Sequence, residues 1–421
     1  MYEHLVTKKY LIPHEEVSLL NPKPVDVYKI IKPDQLPFIS YPYEWSFSML
    51  KDAALLTLEI QKLALKAGMW LKDASAYNVQ FTPDAQPIFI DTLSFEVYDK
   101  VSAWVGYGQF CRHFLAPLAL MSLTDVSMNQ LLTIHLDGVP LPLATKLLPF
   151  TSRFNLGLYF HLHLHANMQA KSVEKEGITA KKVNAQTHSK ASLLKITNHL
   201  ISTIQSLHWR PVDTTWDAYY DKWVGEAYLT LKKNVIREYL RQIPPGKLLD
   251  LGANDGTFSF LAAEAGHQVG AFDIDPACVE KNYLTIKHGK QHAVFPLLVN
   301  LVNSAPGIGW RNTERTSLLQ RIEGYTTGMA LAIVHHICIA NNIPLASLAS
   351  FLADMFPHLI IEFVPKSDEK VKILLEHRDD LFEEYTVGGF EATFCRHFHL
   401  VAKTALAPTE RILYLFKRLH A

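Results

Sequence analysis

The hydrophobic and polar positions of the second half of the chain alternate between short apolar runs and amphipathic stretches. The apolar runs predict buried parallel strands, and the stretches between them predict helices. The predicted strands fall at Leu248–Asp250, Gln268–Phe272, Ala293–Leu301, Gly328–Ile337 and His358–Val364. Two further strands, Phe398–Ala405 and Glu410–Arg418, flank a turn at Pro408. This half therefore predicts an α/β fold.

The first half has a different pattern. Residues 1–45 are punctuated by proline and predict short strands and turns, whereas Trp45–Ala67 has apolar residues at helical spacing and Val101–Leu123 predicts a core helix. We expect an N-terminal α+β domain over residues 1–165, a polar linker over residues 166–192 and a second domain over residues 193–421.

Composition narrows the function. The 421 residues carry 41 basic and 41 acidic side chains, so the charge predicts no nucleic-acid partner. The four cysteines form no C-x-x-C pair, which favours neither a zinc site nor a disulfide framework. The first ten residues lack a signal-peptide core, and no apolar run approaches the roughly 20 residues that span a bilayer. We expect a cytoplasmic protein without a membrane span, and the sequence leaves its oligomeric state open.

The turn after the first strand of the second half carries the clearest chemical signal. Gly252 and Gly256 bracket it, a helix over Thr257–Ala265 follows, and the next strand ends at Asp273. Glycine lets a ligand approach the backbone, and a carboxylate at a strand end can accept two hydrogen bonds from a ribose diol. The turn lacks the G-x-G-x-x-G pattern of dinucleotide sites. Its own acidic residues favour a cationic ligand over a phosphate.

The segment DLGANDGTFS followed by AFDIDP resembles motif I and the ribose-binding acid of the class I S-adenosylmethionine (SAM) methyltransferases. The resemblance implies a seven-stranded Rossmann-like sheet with an antiparallel terminal hairpin, and SAM as the cofactor. It assigns cofactor binding to Asp250, Gly252, Ala253, Asn254, Asp255, Gly256, Asp273, Ile274, Asn300 and Leu301.

Other residues predict a substrate site. A glycine-rich loop carries Trp310, Arg311 and Arg315, which could stack on a ring or clamp a carboxylate, although a capped loop anchored by a buried Trp explains it equally well. Tyr220 is a candidate for covering the cofactor, with simple packing as the alternative. His335, His336 and Glu362 are the candidate catalytic residues, and the two histidines cannot both face the cleft from a strand. We expect methyl transfer to an O or N nucleophile of a small or medium-sized molecule or modified metabolite.

Asp73, Asn78 and Asp91 resemble the catalytic segment of kinase-like phosphotransferases, whose acids and amide position a hydroxyl and hold magnesium. No His-Arg precedes Asp73, Thr92-Leu93 replaces Phe-Gly, and no glycine-rich loop lies upstream. We therefore favour a kinase-like helix-loop-hairpin that no longer transfers phosphate. The alternative function is a divergent magnesium-dependent phosphotransferase or nucleotide-binding domain coupled to a SAM-binding domain.

Two further sequence patterns bear on function. His161, His163 and His165 alternate, so on a strand they would share one face. Such a histidine triplet could bind a metal, but it is more often solvated. The phrases LKDASAYNVQF, FIDTLSF, GWRNTER and IEFVPK resemble a group of bacterial SAM-dependent methyltransferases, some of them labelled nodulation proteins. That resemblance names no substrate.

Overall fold

The computed structural model describes residues 1–18, 27–98, 103–168, 189–210, 225–289, 293–376 and 379–419. The chain divides into two compact units, Met1–Arg210 and Pro211–Ala421. Within the described ranges, no helix is both long and apolar enough to cross a membrane.

The first unit packs around a 20-residue helix. Its helices are α1 (Tyr2–Thr7), α2 (Phe47–Lys66), α3 (Tyr107–Phe110), α4 (Ala116–Leu123), α5 (Leu131–Ile134), α6 (Leu141–Leu147), α7 (Leu156–Leu158) and α8 (Lys190–Ser206). Its strands are β1 (His14–Val17), β2 (Ile30–Pro33), β3 (Met69–Leu71), β4 (Val79–Phe81), β5 (Pro87–Phe89) and β6 (Phe95–Val97), paired as β1–β2, β3–β6 and β4–β5. Helix α2 is the one predicted from Trp45, and the Ser46 side chain caps its start by accepting from Met49 N.

Helix α8 corrects the predicted domain boundary. The predicted second domain begins at residue 193 and so includes most of α8, but α8 packs on α2 within the first unit. The Lys51 ammonium of α2 donates to the carbonyl oxygens of Gln205 (3.0 Å) and Leu207 (2.6 Å). These contacts satisfy the unpaired carbonyls at the end of α8 and fix it on the first unit.

The histidine triplet lies on a helix and not on a strand. Helix α7 continues into a π-helical turn, Tyr159–Leu164, and then into a helical segment at 165–168. His161 and His163 are each only 5% exposed. The alternation was misread because Leu162 and Leu164 between the histidines mimic the period of a strand.

The second unit contains the predicted α/β sheet. Its strands are β7 (Lys247–Leu251), β8 (Gln268–Asp273), β9 (Val294–Leu298), β10 (Thr327–Ala330), β11 (His358–Phe363), β12 (Phe398–Ala405) and β13 (Ile412–Arg418). Its helices are α9 (Glu226–Arg241), α10 (Thr257–Glu264), α11 (Pro276–Gly289), α12 (Leu318–Arg321), α13 (Leu345–Met355), α14 (Glu369–Leu375) and α15 (Val387–Phe394). The prediction of seven strands is confirmed.

The strand order is β12-β13-β11-β10-β7-β8-β9. Strands β7 to β11 pair in parallel, and β13 pairs antiparallel with both β11 and β12. The terminal hairpin is therefore antiparallel, as predicted. From β7 the chain proceeds outward through β8 and β9, and from β10 it proceeds outward on the other side. Ligands of open α/β sheets bind where the order reverses in this way, at the carboxyl ends of the strands.

Strand β10 is shorter than predicted. It ends at Ala330, and a π-helical segment begins at His336. Ala332 between them has a φ of 52°, which breaks the strand. Residues 331–340 therefore belong to the carboxyl-end loop of the sheet and to the helical segment after it, although the run GMALAIVHHI predicted one continuous buried strand.

Candidate functional site

A cavity of about 290 Å³ opens at the carboxyl ends of β7, β8, β9 and β10. This volume is at the lower end of small-molecule sites, which are about 300–1,000 Å³. Its walls come from the ends of four neighbouring strands, so the rigid sheet sets their spacing. The cavity is lined by Gly252, Asn254, Phe272, Asp273, Ile274, Val299, Asn300, Leu301, Val302, Leu331, Ala332, Ile333, His336, Ile337, Ala340 and Asn341.

The turn after β7 approaches the cavity with its backbone. Gly252, Asn254 and Gly256 have positive φ values of 81°, 49° and 79°. A Cβ on Gly252 would lie 3.0 Å from Ile333 Cδ1, and one on Gly256 would lie 2.5 Å from Asn282 Oδ1. Both positions therefore need glycine, for conformation and for space.

Asp273 connects this turn to the end of β8. One carboxylate oxygen accepts from Asn254 N at 2.7 Å, and the other accepts from Asp275 N at 2.8 Å. A carboxylate offers about four acceptor positions, so at least one remains for a ligand. Burial raises the pKa of Asp273 above its ordinary value, while the backbone N–H donors of Asp275, Asn254 and Ile274 act in the opposite direction. The group is a fixed acceptor at the cavity wall.

Ile274 and the segment after β9 supply apolar surface beside this acceptor. The Ile274 side chain is 59% exposed, although it is large and apolar. Asn300 and Leu301 also line the cavity, and the Asn300 side chain accepts from Val302 N at 3.1 Å. A flat heteroaromatic ring could lie between these apolar side chains, next to a diol on Asp273.

Of the predicted cofactor residues, Gly252, Asn254, Asp273, Ile274, Asn300 and Leu301 line this cavity. The others serve the turn itself. Asp250 is 1% exposed and accepts from Ser259 Oγ at 2.6 Å, and burial raises its pKa to about 7. Asp255 accepts from Thr257 N and Thr257 Oγ1, Gly256 precedes α10 as its N-cap, and Ala253 is buried. Six of the ten predicted cofactor residues therefore line the cavity, and cofactor contact by them stays a prediction.

His336 lines the cavity, whereas His335 is only 1% exposed, and neither of its ring nitrogens finds a hydrogen-bond partner among the described residues. Burial, and to a lesser extent the charge of Lys370, lowers the pKa of His336 to about 4. Its imidazole is therefore neutral near pH 7 and able to accept a proton. The two rings are in contact, with centroids 4.1 Å apart and planes inclined by 42°, so His335 packs directly against His336.

Glu362, the third predicted catalytic residue, does not line the cavity. It is fully buried, and its carboxylate accepts from Lys232 Nζ at 2.6 Å and from Tyr228 Oη at 2.7 Å. Arg411 Nη1 lies 3.7 Å away. Burial raises the pKa of Glu362, but the positive charges of Lys232 and Arg411 lower it by a larger amount. The pKa of Glu362 is therefore below its ordinary value. Glu362 is a structural anchor between α9 and the sheet.

The loop with Trp310, Arg311 and Arg315 also lies outside the lining of the cavity. Trp310 is 80% exposed, so it is not a buried anchor of the loop. Ile308 and Arg315 form a short bridge that closes the loop, and Trp310 N donates to Glu314 Oε2. Tyr220 lies outside the described residues. These four substrate residues remain predictions.

One part of the cavity wall was not predicted from the sequence. It is formed by Leu331, Ala332, Ile333, Ile337, Ala340 and Asn341. The signal was present, because this segment follows the fourth strand of the sheet. It was hidden by the assignment of these residues to β10. Asn341 adds a polar group here, and its side-chain amide donates to the His336 carbonyl at 2.8 Å.

In the first unit, Asn78 and Asp91 meet at a serine. Asn78 Nδ2 donates to Ser94 Oγ (3.1 Å), which donates to Asp91 Oδ2 (2.6 Å). Asp73 instead accepts from Ser75 N within its own turn. Among the described residues, no three His, Cys, Asp or Glu side chains gather in a way that could hold a metal ion.

The strand order and the cavity at its reversal define a Rossmann-like domain of the class I methyltransferase type. No protein-family model matches the chain. The chain belongs to the family of nodulation protein NoeA, since it is 33% identical over 405 residues to NoeA of Rhizobium meliloti (strain 1021). That alignment covers 93% of this chain and 82% of NoeA. The predicted kinship with bacterial proteins labelled nodulation proteins is confirmed.

Solved structures resemble only part of the chain. The N-methyltransferase NodS of Bradyrhizobium japonicum WM9 is 9% identical, with a TM-score of 0.34, and covers 46% of this chain and 98% of its own. Magnesium protoporphyrin IX methyltransferase (ChlM) of Synechocystis PCC 6803, solved with bound SAM, is 15% identical with a TM-score of 0.32, covering 49% and 86%. The bifunctional kinase-methyltransferase WbdD is 19% identical with a TM-score of 0.33, covering 48% and 42%. At these values no activity is inferred from them.

Proposed function

We propose that the second unit is a SAM-dependent methyltransferase. The observation that carries the proposal is the pairing, in one cavity, of the Asp273 carboxylate with the exposed Ile274 side chain and the open Gly252 backbone. A nucleoside presents the complementary chemistry, which is a diol for the carboxylate and a ring for the apolar wall. The Gly252 turn leaves space for the remainder of the cofactor close to the backbone.

The arrangement around this cavity suits a cationic cofactor. Asp273 presents a carboxyl group at the cavity wall, and its position is fixed by hydrogen bonds from the backbone. SAM supplies a methyl group on a positively charged sulfur. The turn has no lysine and no dinucleotide pattern, so a phosphate-bearing ligand has weaker support.

His336 is the candidate general base for an O–H or N–H nucleophile. Its imidazole lies at the cavity wall and is neutral near pH 7, so it would accept the proton that the nucleophile loses. Positioning in a site shielded from water supplies the larger part of catalysis for such a transfer. We expect a small or medium-sized substrate with a hydroxyl or amine group.

The experiment is a methyl-transfer screen with radiolabelled SAM against a panel of small alcohols, phenols and amines. Wild-type protein should label at least one class of compound. Asp273→Asn should abolish labelling at SAM concentrations near the Kd of the wild type, and His399→Asn, an exposed histidine on β12, should leave it unchanged. Labelling that is equal in wild type and Asp273→Asn would refute the proposal.

A second candidate is a magnesium-dependent nucleotide site in the first unit. The observation in its favour is the hydrogen-bonded chain Asn78–Ser94–Asp91, which brings two of the three predicted residues together. Because Asp73 is engaged in its own turn, this site has weaker support. Titration with ATP and magnesium, repeated on Asp91→Asn, tests it. Binding that survives the substitution would count against it.

A further inference from the structure

The helical segment over residues 156–168 of the first unit has a second apolar stripe on its exposed side. Leu156 (68%), Phe160 (48%), Leu164 (39%) and Met168 (64%) recur every fourth residue and are exposed. The inner side contains the fully buried Leu158 and Leu162 together with His161 and His163, which are each 5% exposed. A helix at a protein surface normally has one apolar stripe, toward the core, so the exposed stripe needs a further explanation.

Hydrogen bonds hold the helix in this orientation. His161 Nδ1 pairs with Tyr107 Oη at 2.8 Å, and His161 Nε2 pairs with His199 Nδ1 at 2.8 Å. His163 Nε2 pairs with Ser152 Oγ, also at 2.8 Å. Rotating the helix to bury Phe160 would leave these partners unsatisfied, at a cost for each buried polar group. The outward apolar face is therefore built into the fold.

The apolar face extends beyond this helix. Phe150 (67% exposed) and Phe154 (75% exposed) lie on the preceding 3₁₀ segment, which packs beside α7, and their ring centroids are 5.6 Å apart. We call the whole set, Phe150, Phe154, Leu156, Phe160, Leu164 and Met168, the outer apolar face. Contiguous exposed apolar patches of several large side chains mark interaction sites on folded proteins.

The segments that form the outer apolar face, and the helices that pack beside it, carry basic side chains and no acidic ones. Helices α6 and α8 contact the helical segment of the face. Residues 138–168 and 189–210, which include these elements, contain no Asp or Glu, whereas they contain Lys146, Arg153, Lys190, Lys195 and Arg210. Arg153 is exposed within the face itself, with its guanidinium carbon 5.4 Å from the centroid of the Phe150 ring. An apolar face that carries an exposed cation, on segments without acidic residues, complements an anionic, apolar partner.

We propose that the outer apolar face docks on an anionic lipid surface. Phe and Leu side chains would enter the boundary between headgroups and acyl chains, and the basic residues would contact lipid phosphates. A protein surface of the same sequence would bring a second set of cations into the contact, which disfavours self-association through this face. The proposal concerns the first unit and does not depend on the methyltransferase activity of the second.

The test is cosedimentation of the full chain with vesicles of phosphatidylcholine, with or without phosphatidylglycerol, at low and high salt. The wild type should bind vesicles that contain phosphatidylglycerol, and high salt should weaken that binding. Phe154→Glu combined with Phe160→Glu should reduce it about tenfold or more, because two large apolar side chains are lost from the contact. Leu381→Glu, which alters an equally exposed leucine in the second unit, should bind like the wild type.

Two controls keep the result decisive. Arg153→Glu retains the apolar side chains and tests the charge alone, and it should weaken binding only to the anionic vesicles. Light scattering measures the mass of each variant. Absence of vesicle binding by the wild type at low salt would overturn the proposal. A wild-type dimer that dissociates in Phe154→Glu with Phe160→Glu would also overturn it and would assign the face to a second copy.

Discussion

Replacing Lys232 by methionine should strongly destabilise the second unit. The ammonium lies 2.6 Å from Glu362 Oε2, and both side chains are completely buried. Removing one partner of a buried ion pair costs about 3–5 kcal/mol, because the other charge is left without compensation. Glu362 would retain its hydrogen bond from Tyr228 and the more distant Arg411. We therefore expect a loss near the lower end, about 3 kcal/mol.

The assay is urea unfolding at pH 7, with the free energy of unfolding compared between variants. Lys233→Met alters the neighbouring lysine, which forms no ion pair within the described part of the chain. This control should change the free energy of unfolding by less than about 0.5 kcal/mol. Since the pKa of Glu362 is lowered in the folded state, its ionisation stabilises the fold above its ordinary pKa of 4.5. That contribution disappears as the pH falls through the lowered pKa, so the difference between Lys232→Met and wild type should shrink in acid. A change below about 1 kcal/mol at pH 7 would refute the reasoning.

Three further predictions concern the cavity. His336→Asn should lower kcat about 100-fold or more with little change in the Kd for SAM, since a general base contributes roughly 10²–10⁴-fold; an equal loss in His399→Asn would contradict the role. Because burial lowers the pKa of His336 to about 4, the base is deprotonated above that pH, and the kcat/KM profile should show no inflection near 6.5; an inflection there would assign the base to another histidine. Gly252→Ala should weaken SAM binding about tenfold or more, because the new methyl group enters the turn at positive φ and meets Ile333; calorimetry showing unchanged affinity would place the cofactor elsewhere.

Local patterns in the sequence were sufficient to predict the seven-stranded sheet and about half of the residues that line the cavity. Glycines at Gly252 and Gly256 and an acid at the end of β8 specify the turn, because few other residues can adopt its backbone. Ile274, Asn300 and Leu301 follow directly from the strand ends. The antiparallel hairpin follows from two apolar strands around Pro408.

The remainder depends on tertiary contacts that no local pattern reveals. Glu362 is at a strand end like Asp273, yet its carboxylate pairs with Lys232 on α9. The two residues are 130 positions apart in the sequence, so only the packing of α9 on the sheet brings them together. His335 and His336 follow an apolar run, and only the break at Ala332 turns the chain so that His336 reaches the cavity. The three alternating histidines look like strand positions, but hydrogen bonds to Tyr107, Ser152 and His199 place two of them inside a helical unit.

We expect Asp273 and its neighbours at the cavity wall to bind SAM. The most direct measurement is calorimetric titration of SAM into the wild type, Asp273→Asn and Asp255→Asn. Asp273→Asn should lose about 100-fold in affinity, since hydrogen bonds to a charged acceptor are worth about 1.5–3 kcal/mol each. Asp255→Asn, whose carboxylate faces Thr257, should retain affinity within about fivefold of wild type. Absence of SAM binding by the wild type, or equal affinity of all three proteins, would contradict the account.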